Sequence, residues 1–178
     1  MKKIMISSLL IFSLVGCQSN TSSEFDTSKL VKIEMSDVTE EQQKNIPITY
    51  EANSLEDGLK ALPFEVKLPN SLPIKDTEFQ PPVINDMKHG GEELMTEFQA
   101  ASQDGKESIL ISVFNKEVNL NDEGTREVDI NNEIKGYYGN NSLSFNKGNV
   151  SYTISFLNKE LTEEERLIEL TKIAEQMI

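Results

Sequence analysis

Val150-Ser151-Tyr152-Thr153-Ile154-Ser155-Phe156-Leu157 is the stretch whose reading decides the fold. Successive side chains of an extended chain point to opposite faces. Val150, Tyr152, Ile154 and Phe156 therefore share one face, and Ser151, Thr153, Ser155 and Leu157 the other. One face is apolar and the other hydroxyl-rich, the pattern of an antiparallel sheet packed on one side and wet on the other. Upstream, Leu143 and Phe145 lead through the turn Asn146-Lys147-Gly148-Asn149 into this strand. Arg126 to Ile130 and Glu133 to Tyr138 form a further pair around Asn131-Asn132. Earlier still, Ile109, Ile111 and Val113 alternate with Leu110, Ser112 and Phe114. The hairpin-type turn Gln103-Asp104-Gly105-Lys106 joins them to Leu94, Thr96, Phe98 and Ala100, which alternate with Met95, Glu97 and Gln99.

Downstream, Thr162-Glu163-Glu164-Glu165 is a capping box with acids in the first turn, where the helix dipole favours them. Leu167, Leu170, Ile173, Ala174 and Met177 then form an apolar helical stripe. Nearer the start, Leu30 to Met35 alternates weakly through Val31 and Ile33, a short strand. Thr39-Glu40-Glu41-Gln42 has capping-box spacing without an apolar face, so it reads as a solvated turn or a single polar helical turn. Ser54 opens a helix carrying Leu55, Leu59 and Leu62, which Pro63 stops. Gly58 inside it costs about 1 kcal/mol against Ala. Phe64, Val66 and Leu68, bounded by prolines, and Gln80-Pro81-Pro82 read as an edge strand or extended connector. The expected fold is α+β: an antiparallel meander sheet with one face covered by the C-terminal helix and the short N-terminal helix.

Composition bounds the chemistry. The chain has 178 residues, 17 Lys+Arg against 30 Asp+Glu, a formal charge of −13, one His, one Cys and no Trp. A lone Cys excludes a disulfide framework within the chain, and the scarcity of Cys and His argues against an ordinary zinc site. Strong acidity argues against nucleic acid, whose binding needs phosphate neutralisation by a basic surface.

The first residues are for targeting. Met1-Lys2-Lys3 and the apolar Ile4 to Leu14 make the n- and h-regions of a secretory signal. As a helix the apolar part would span roughly 16 Å, about half the hydrocarbon thickness, too short for a comfortable membrane span. Leu14-Val15-Gly16-Cys17 resembles the lipobox of bacterial lipoproteins. The resemblance implies a diacylglyceryl group on the thiol of Cys17 and cleavage between Gly16 and Cys17. Two acyl chains anchor stably where one is marginal. Loss of residues 1–16 removes Lys2 and Lys3 and takes the side-chain charge from −13 to −15. The expected organisation is a lipoprotein signal peptide (1–16), a lipidated Cys17 with a flexible Ser/Thr-rich tether (17–29), and a single globular domain (30–178). The localisation that follows is the outer face of the cell membrane, or the outer membrane in a two-membrane cell, where Gln18 after Cys17 resembles the pattern sent onward.

A second resemblance covers about Ser54 to Ile178. It rests on the short helix followed by Phe64-Glu65-Val66-Lys67-Leu68-Pro69 and Leu72-Pro73, on Ile134-Lys135-Gly136-Tyr137-Tyr138, and on Leu143-Ser144-Phe145 with Gly148 to Ile154, closed by the helix from Thr162. These are similar to a domain-of-unknown-function family of Gram-positive bacteria. It occurs in lipoproteins, at the C-terminus of anti-sigma-factor-like proteins and beside lipoprotein-carrier-like domains. Members often carry Trp where this chain has Phe145. The resemblance implies a non-catalytic extracytoplasmic module and assigns no activity.

No residue set reads as catalytic. His89-Gly90-Gly91 has the look of an esterase oxyanion loop, but no nucleophile elbow G-x-S-x-G accompanies it, and a tight turn before Leu94 explains it. Asn119 to Gly124 spaces oxygens as a calcium loop does, yet Ile130 stands where the bidentate Glu belongs. A solvated acidic loop over Asn119–Glu133 is the simpler reading, with weak cation binding left open. Glu163 to Glu165 are accounted for by capping. Tyr137 and Tyr138 must face opposite ways, so at most one of them meets a ligand. The expectation is a non-enzymatic interaction or sensing module without cofactor or metal, bound to the membrane through Cys17 and meeting a protein or envelope partner whose identity, like the oligomeric state, stays open. The alternative is a carrier of lipid or a small ligand, its cavity beneath the helices.

Overall fold

The structure, a computed structural model, describes residues 24–34, 36 and 39–178. The leader 1–16, Cys17, the tether up to residue 23 and Met35 lie outside the described residues.

The described chain forms one antiparallel sheet of nine strands with a C-terminal helix and two shorter helices, an α+β fold. The strands β1 (Leu30–Lys32), β2 (Ile48–Ala52), β3 (Val83–Asp86), β4 (Leu94–Ala101) and β5 (Glu107–Phe114) follow one another across the sheet. The chain then crosses to the far edge. There β6 (Arg126–Asp129), β7 (Lys135–Gly139), β8 (Ser142–Lys147) and β9 (Val150–Asn158) return, so that β9 pairs with β5. The sheet is thus two meanders joined at β5–β9, not one continuous meander. The residues between Asn115 and Thr125 lack a period-two apolar pattern, so no strand forms beside β5 there. The two richest apolar strands meet instead, Ile109, Ile111 and Val113 lying opposite Phe156, Ile154 and Tyr152.

β2 and β3 carry little pattern of their own. They are short, follow Pro47 and Pro82, and are fixed by each other, with the Thr49 hydroxyl donating to Asn85 Oδ1 across the pair at 2.8 Å. The Phe64–Leu68 segment forms no strand. Pro63 and Pro69 withhold ladder donors, and Phe64, Val66 and Leu68 pack half-buried against the core from an extended connector.

The helices start where the caps place them. α1 (Glu40–Gln43) is the single polar turn capped by Thr39. α2 (Leu55–Ala61) is capped by Ser54, whose hydroxyl accepts from the Asp57 amide at 3.1 Å. A Cβ at Gly58 would come within 2.2 Å of Pro82 Cγ, so the missing side chain, at a cost in helix propensity, permits the close approach of α2 to the residues entering β3. In α3 (Glu163–Met177) the Thr162 hydroxyl accepts from the Glu165 amide, and the Glu165 carboxylate accepts from the Thr162 amide at 2.9 Å. These hydrogen bonds hold the Glu165 carboxyl below its ordinary value. Leu170, Ile173, Ala174 and Met177 are buried, and α3 lies against β8 and β9. At its C-terminal end Lys67 and Lys147 donate to the carbonyls of Ile178 (2.6 Å) and Met177 (3.0 Å), two ammonium groups where the dipole favours them.

Candidate interaction surface

Register sorts the sheet into rows. Ile84, Thr96, Val113, Tyr152 and Phe145 align across β3, β4, β5, β9 and β8, and all are buried. One residue along each strand, Val31, Glu51, Val83, Glu97, Ser112, Thr153, Ser144, Tyr137 and Glu127 align across all nine strands. None of this second row is buried. Its centre is polar but internally satisfied: Ser144 pairs with Thr153 at 2.8 Å and Ser142 with Ser155 at 2.7 Å, cross-strand hydroxyl pairs that add to sheet stability. Tyr137 Oη lies 3.5 Å from Glu127, on the open side, while Tyr138 is buried in the core. Leu157 stands 54% exposed at one end. At the other end Glu93 bridges Lys88 and Lys116, and hydrogen bonds from Lys116 and then Lys88 hold its carboxyl below the ordinary glutamate value.

Ser151 breaks the simple rule that the hydroxyl face is wet. It is buried, accepts from the Val118 amide at 3.0 Å, and lies 2.7 Å from the Lys116 carbonyl and 2.5 Å from Asn146 Oδ1, which share its one proton. It staples the chain leaving β5 back onto the sheet.

His89-Gly90-Gly91 is a turn built around Asp86. The buried Asp86 carboxylate accepts from the amides of Lys88 (3.3 Å), Gly90 (3.3 Å) and Gly91 (2.9 Å). The amides of Lys88, Gly90 and Gly91 are therefore committed to a carboxylate of the chain itself. His89 Nε2 lies 2.7 Å from the Ile46 carbonyl. A cleft of about 680 Å³ opens here between the turn, Tyr50, Asn115 and Phe25. Burial, with the Asp86 charge adding, raises the Tyr50 phenol.

The acidic loop uses its oxygens in local turns: Asn119 Oδ1 accepts from the Asn121 amide, and the Asp122 carbonyl from the Thr125 hydroxyl. Among the described residues no group of three His, Cys, Asp or Glu is placed to hold a metal. At the β6 edge the Arg126 guanidinium sits 5.2 Å over the Tyr138 ring and reaches Glu163 at 3.5 Å, roofing a phenol whose hydroxyl has no partner among the described residues.

Residues 24–29, read above as the end of a tether, rest on the domain. Phe25 meets Tyr50 edge-on at 5.4 Å, and the Asp26 amide donates to the Ala61 carbonyl at 3.0 Å. Lys29 pairs with Asp57 at 2.9 Å, which draws the Asp57 carboxyl down. Sequence reading missed this seat. Its signal was the lone aromatic in a Ser/Thr-rich stretch. Cys17 lies outside the described residues, and among them no helix is long and apolar enough to cross a membrane. Comparison of the chain with family models, curated proteins and solved structures finds no match.

Proposed function

We propose that the protein is a lipid-anchored extracytoplasmic lipoprotein of the bacterial envelope whose domain is a non-enzymatic interaction module, with one sheet face covered by α3 and α2 and the other offered to a protein or envelope partner. The observation that carries the domain part of this reading is the division between rows. The open row crosses nine strands without one buried member, while its neighbour is closed by Ile84, Val113, Tyr152 and Phe145. A broad surface of paired hydroxyls with scattered apolar side chains suits contact by many small terms, without a concave pocket and convergent reactive groups. The anchor part rests on Leu14-Val15-Gly16-Cys17 after a basic, then apolar, leader.

The test of the anchor is Cys17→Ser in the native host, followed by membrane fractionation and labelling with a palmitate analogue. The expected result is a variant that leaves the membrane fraction, loses the label and keeps its unfolding transition. A variant that still pellets with salt-washed membranes overturns the anchor. For the surface, crosslinking in intact cells from a photoreactive group at Thr153 should capture a partner that a group at exposed Lys75 does not; equal capture from both overturns the face as the contact.

A further inference from the structure

We infer that the seat of Phe25 shortens the leash between lipid and domain, so that the α2–β1 end is held toward the membrane and the β6 edge is turned away from it. The orientation rests on the lipid anchorage of Cys17 proposed above. The seat itself does not.

The seat is built from three directions. Gly91, with φ at +72°, leaves the space that Phe25 fills: a Cβ there would lie 2.9 Å from Phe25 Cβ. Tyr50 presents its ring edge-on to Phe25. The Asp26 amide is bound to the last carbonyl of α2, that of Ala61. Beyond it, the Asn53 side chain donates to the Lys29 carbonyl at 2.8 Å, and Lys29 pairs with Asp57. The fold of the His89-Gly90-Gly91 turn around Asp86 thus has a use: it shapes one wall of this seat.

Lengths decide the consequence. From Cys17 to Phe25 is eight residues along the chain, at most about 28 Å when fully extended. From Cys17 to Leu30, the first residue of the sheet, is thirteen residues, at most about 45 Å. Nine strands spaced at about 4.8 Å put the two sheet edges about 38 Å apart. A leash that began at Leu30 would let the domain stand on its β6 edge. A leash that begins at Phe25, seated on Tyr50 of β2 and Gly91 before β4, lies five to seven strand spacings, about 24–34 Å, from β6, so that posture needs the leash drawn nearly taut, at a cost in chain entropy that the longer leash does not meet. Arg126 and the adjacent outer strands then face the envelope space beyond the membrane.

Two measurements on the full chain separate the seat from the orientation. In solution, hydrogen exchange should show the Asp26 amide slowed about tenfold or more relative to Phe25→Ala, with Phe25→Leu in between and the exchange of β5 and β9 amides unchanged. An Asp26 amide that exchanges equally fast in the native chain and in Phe25→Ala overturns the seat. In membranes from expressing cells, energy transfer from a dye on Glu56→Cys in α2 to a headgroup acceptor should exceed that from Glu127→Cys in β6, and Phe25→Ala should narrow the difference. Equal transfer from the two positions, or an unaltered difference in Phe25→Ala, overturns the orientation. A chain absent from the membrane fraction overturns the anchorage and the orientation together, and the exchange result still judges the seat alone.

Discussion

Two rows run across the same strands one residue apart and have opposite fates. Thr153 of β9 lies between Ser112 and Ser144 on the open side; Ile154, its neighbour, lies between Ile111 and Leu143 and is fully buried. Strand and partner strands are shared, so the difference belongs to the side chains. Because the side-chain period of a strand is two, a slip of one residue in β9 would turn Tyr152, Ile154 and Phe156 to the other face. The register is fixed by how sharply these rows differ, and it is sharpest in β5, β9 and β8.

The largest expected effect breaks that contrast directly. Ile154→Asp places a carboxylate beside Ile111 and Leu143 inside the hydrophobic core. An unpaired buried charge costs about 3–5 kcal/mol or more, comparable with the whole stability of a domain this size. The variant should show no cooperative thermal transition by circular dichroism at 25 °C and above. A melting curve that overlays the native one would mean that Ile154 and Thr153 have exchanged faces.

The contrast was legible in the sequence where it is strong. The period-two pattern of Leu94–Ala100, Ile109–Phe114 and Val150–Phe156 located the central strands, and Thr162 with Glu165 located the start of α3. β2 and β3 were not legible. Ile48-Thr49-Tyr50-Glu51-Ala52 and Val83-Ile84-Asn85-Asp86 alternate too briefly to stand out, and their identity as strands comes from pairing with each other and with β4. Strand order was hidden for the same reason: nothing local says that β9 and not β6 lies beside β5, because that choice is made by the match of two apolar faces distant in sequence. Gly58 read as a weak point of its helix, whereas Pro82 makes it a requirement. The seat of Phe25 depends on Gly91 and Asp86, more than sixty residues away, so local pattern could not show it.

A finer probe compares two hydroxyls on the same side of β9. Ser151→Ala takes from the part-buried Val118 amide its acceptor on the buried Ser151 and removes the hydrogen to Lys116 or Asn146, which should cost about 1–2 kcal/mol. Thr153→Val removes a hydroxyl whose partner, Ser144, is only half-buried, and should change stability by less, about 0.5 kcal/mol. Denaturant unfolding of both variants measures the pair. Hydrogen exchange at Val118 should rise only in the first. If Thr153→Val proves the costlier, the open face is packed against something within the chain and is not a free surface.

The smallest effect concerns the charges that edge the open face. Glu93 sits between Lys116 and Lys88, and its carboxyl titrates below the ordinary glutamate value because the charged form accepts hydrogen bonds from both. A carboxyl depressed on folding stabilises the fold above the pKa it has when unfolded, and that contribution fades as pH falls through the lower folded value. Its size is modest, since the lysines are solvated and salt screens them. Carbon-detected titration of Glu93 should therefore give a pKa below the ordinary glutamate value, and Lys116→Ala or added salt should move it upward. Ile154→Asp tests which face is inside; this titration tests whether the other face is an aqueous surface. A Glu93 value insensitive to both salt and Lys116 would place that corner away from water and shrink the area open to a partner.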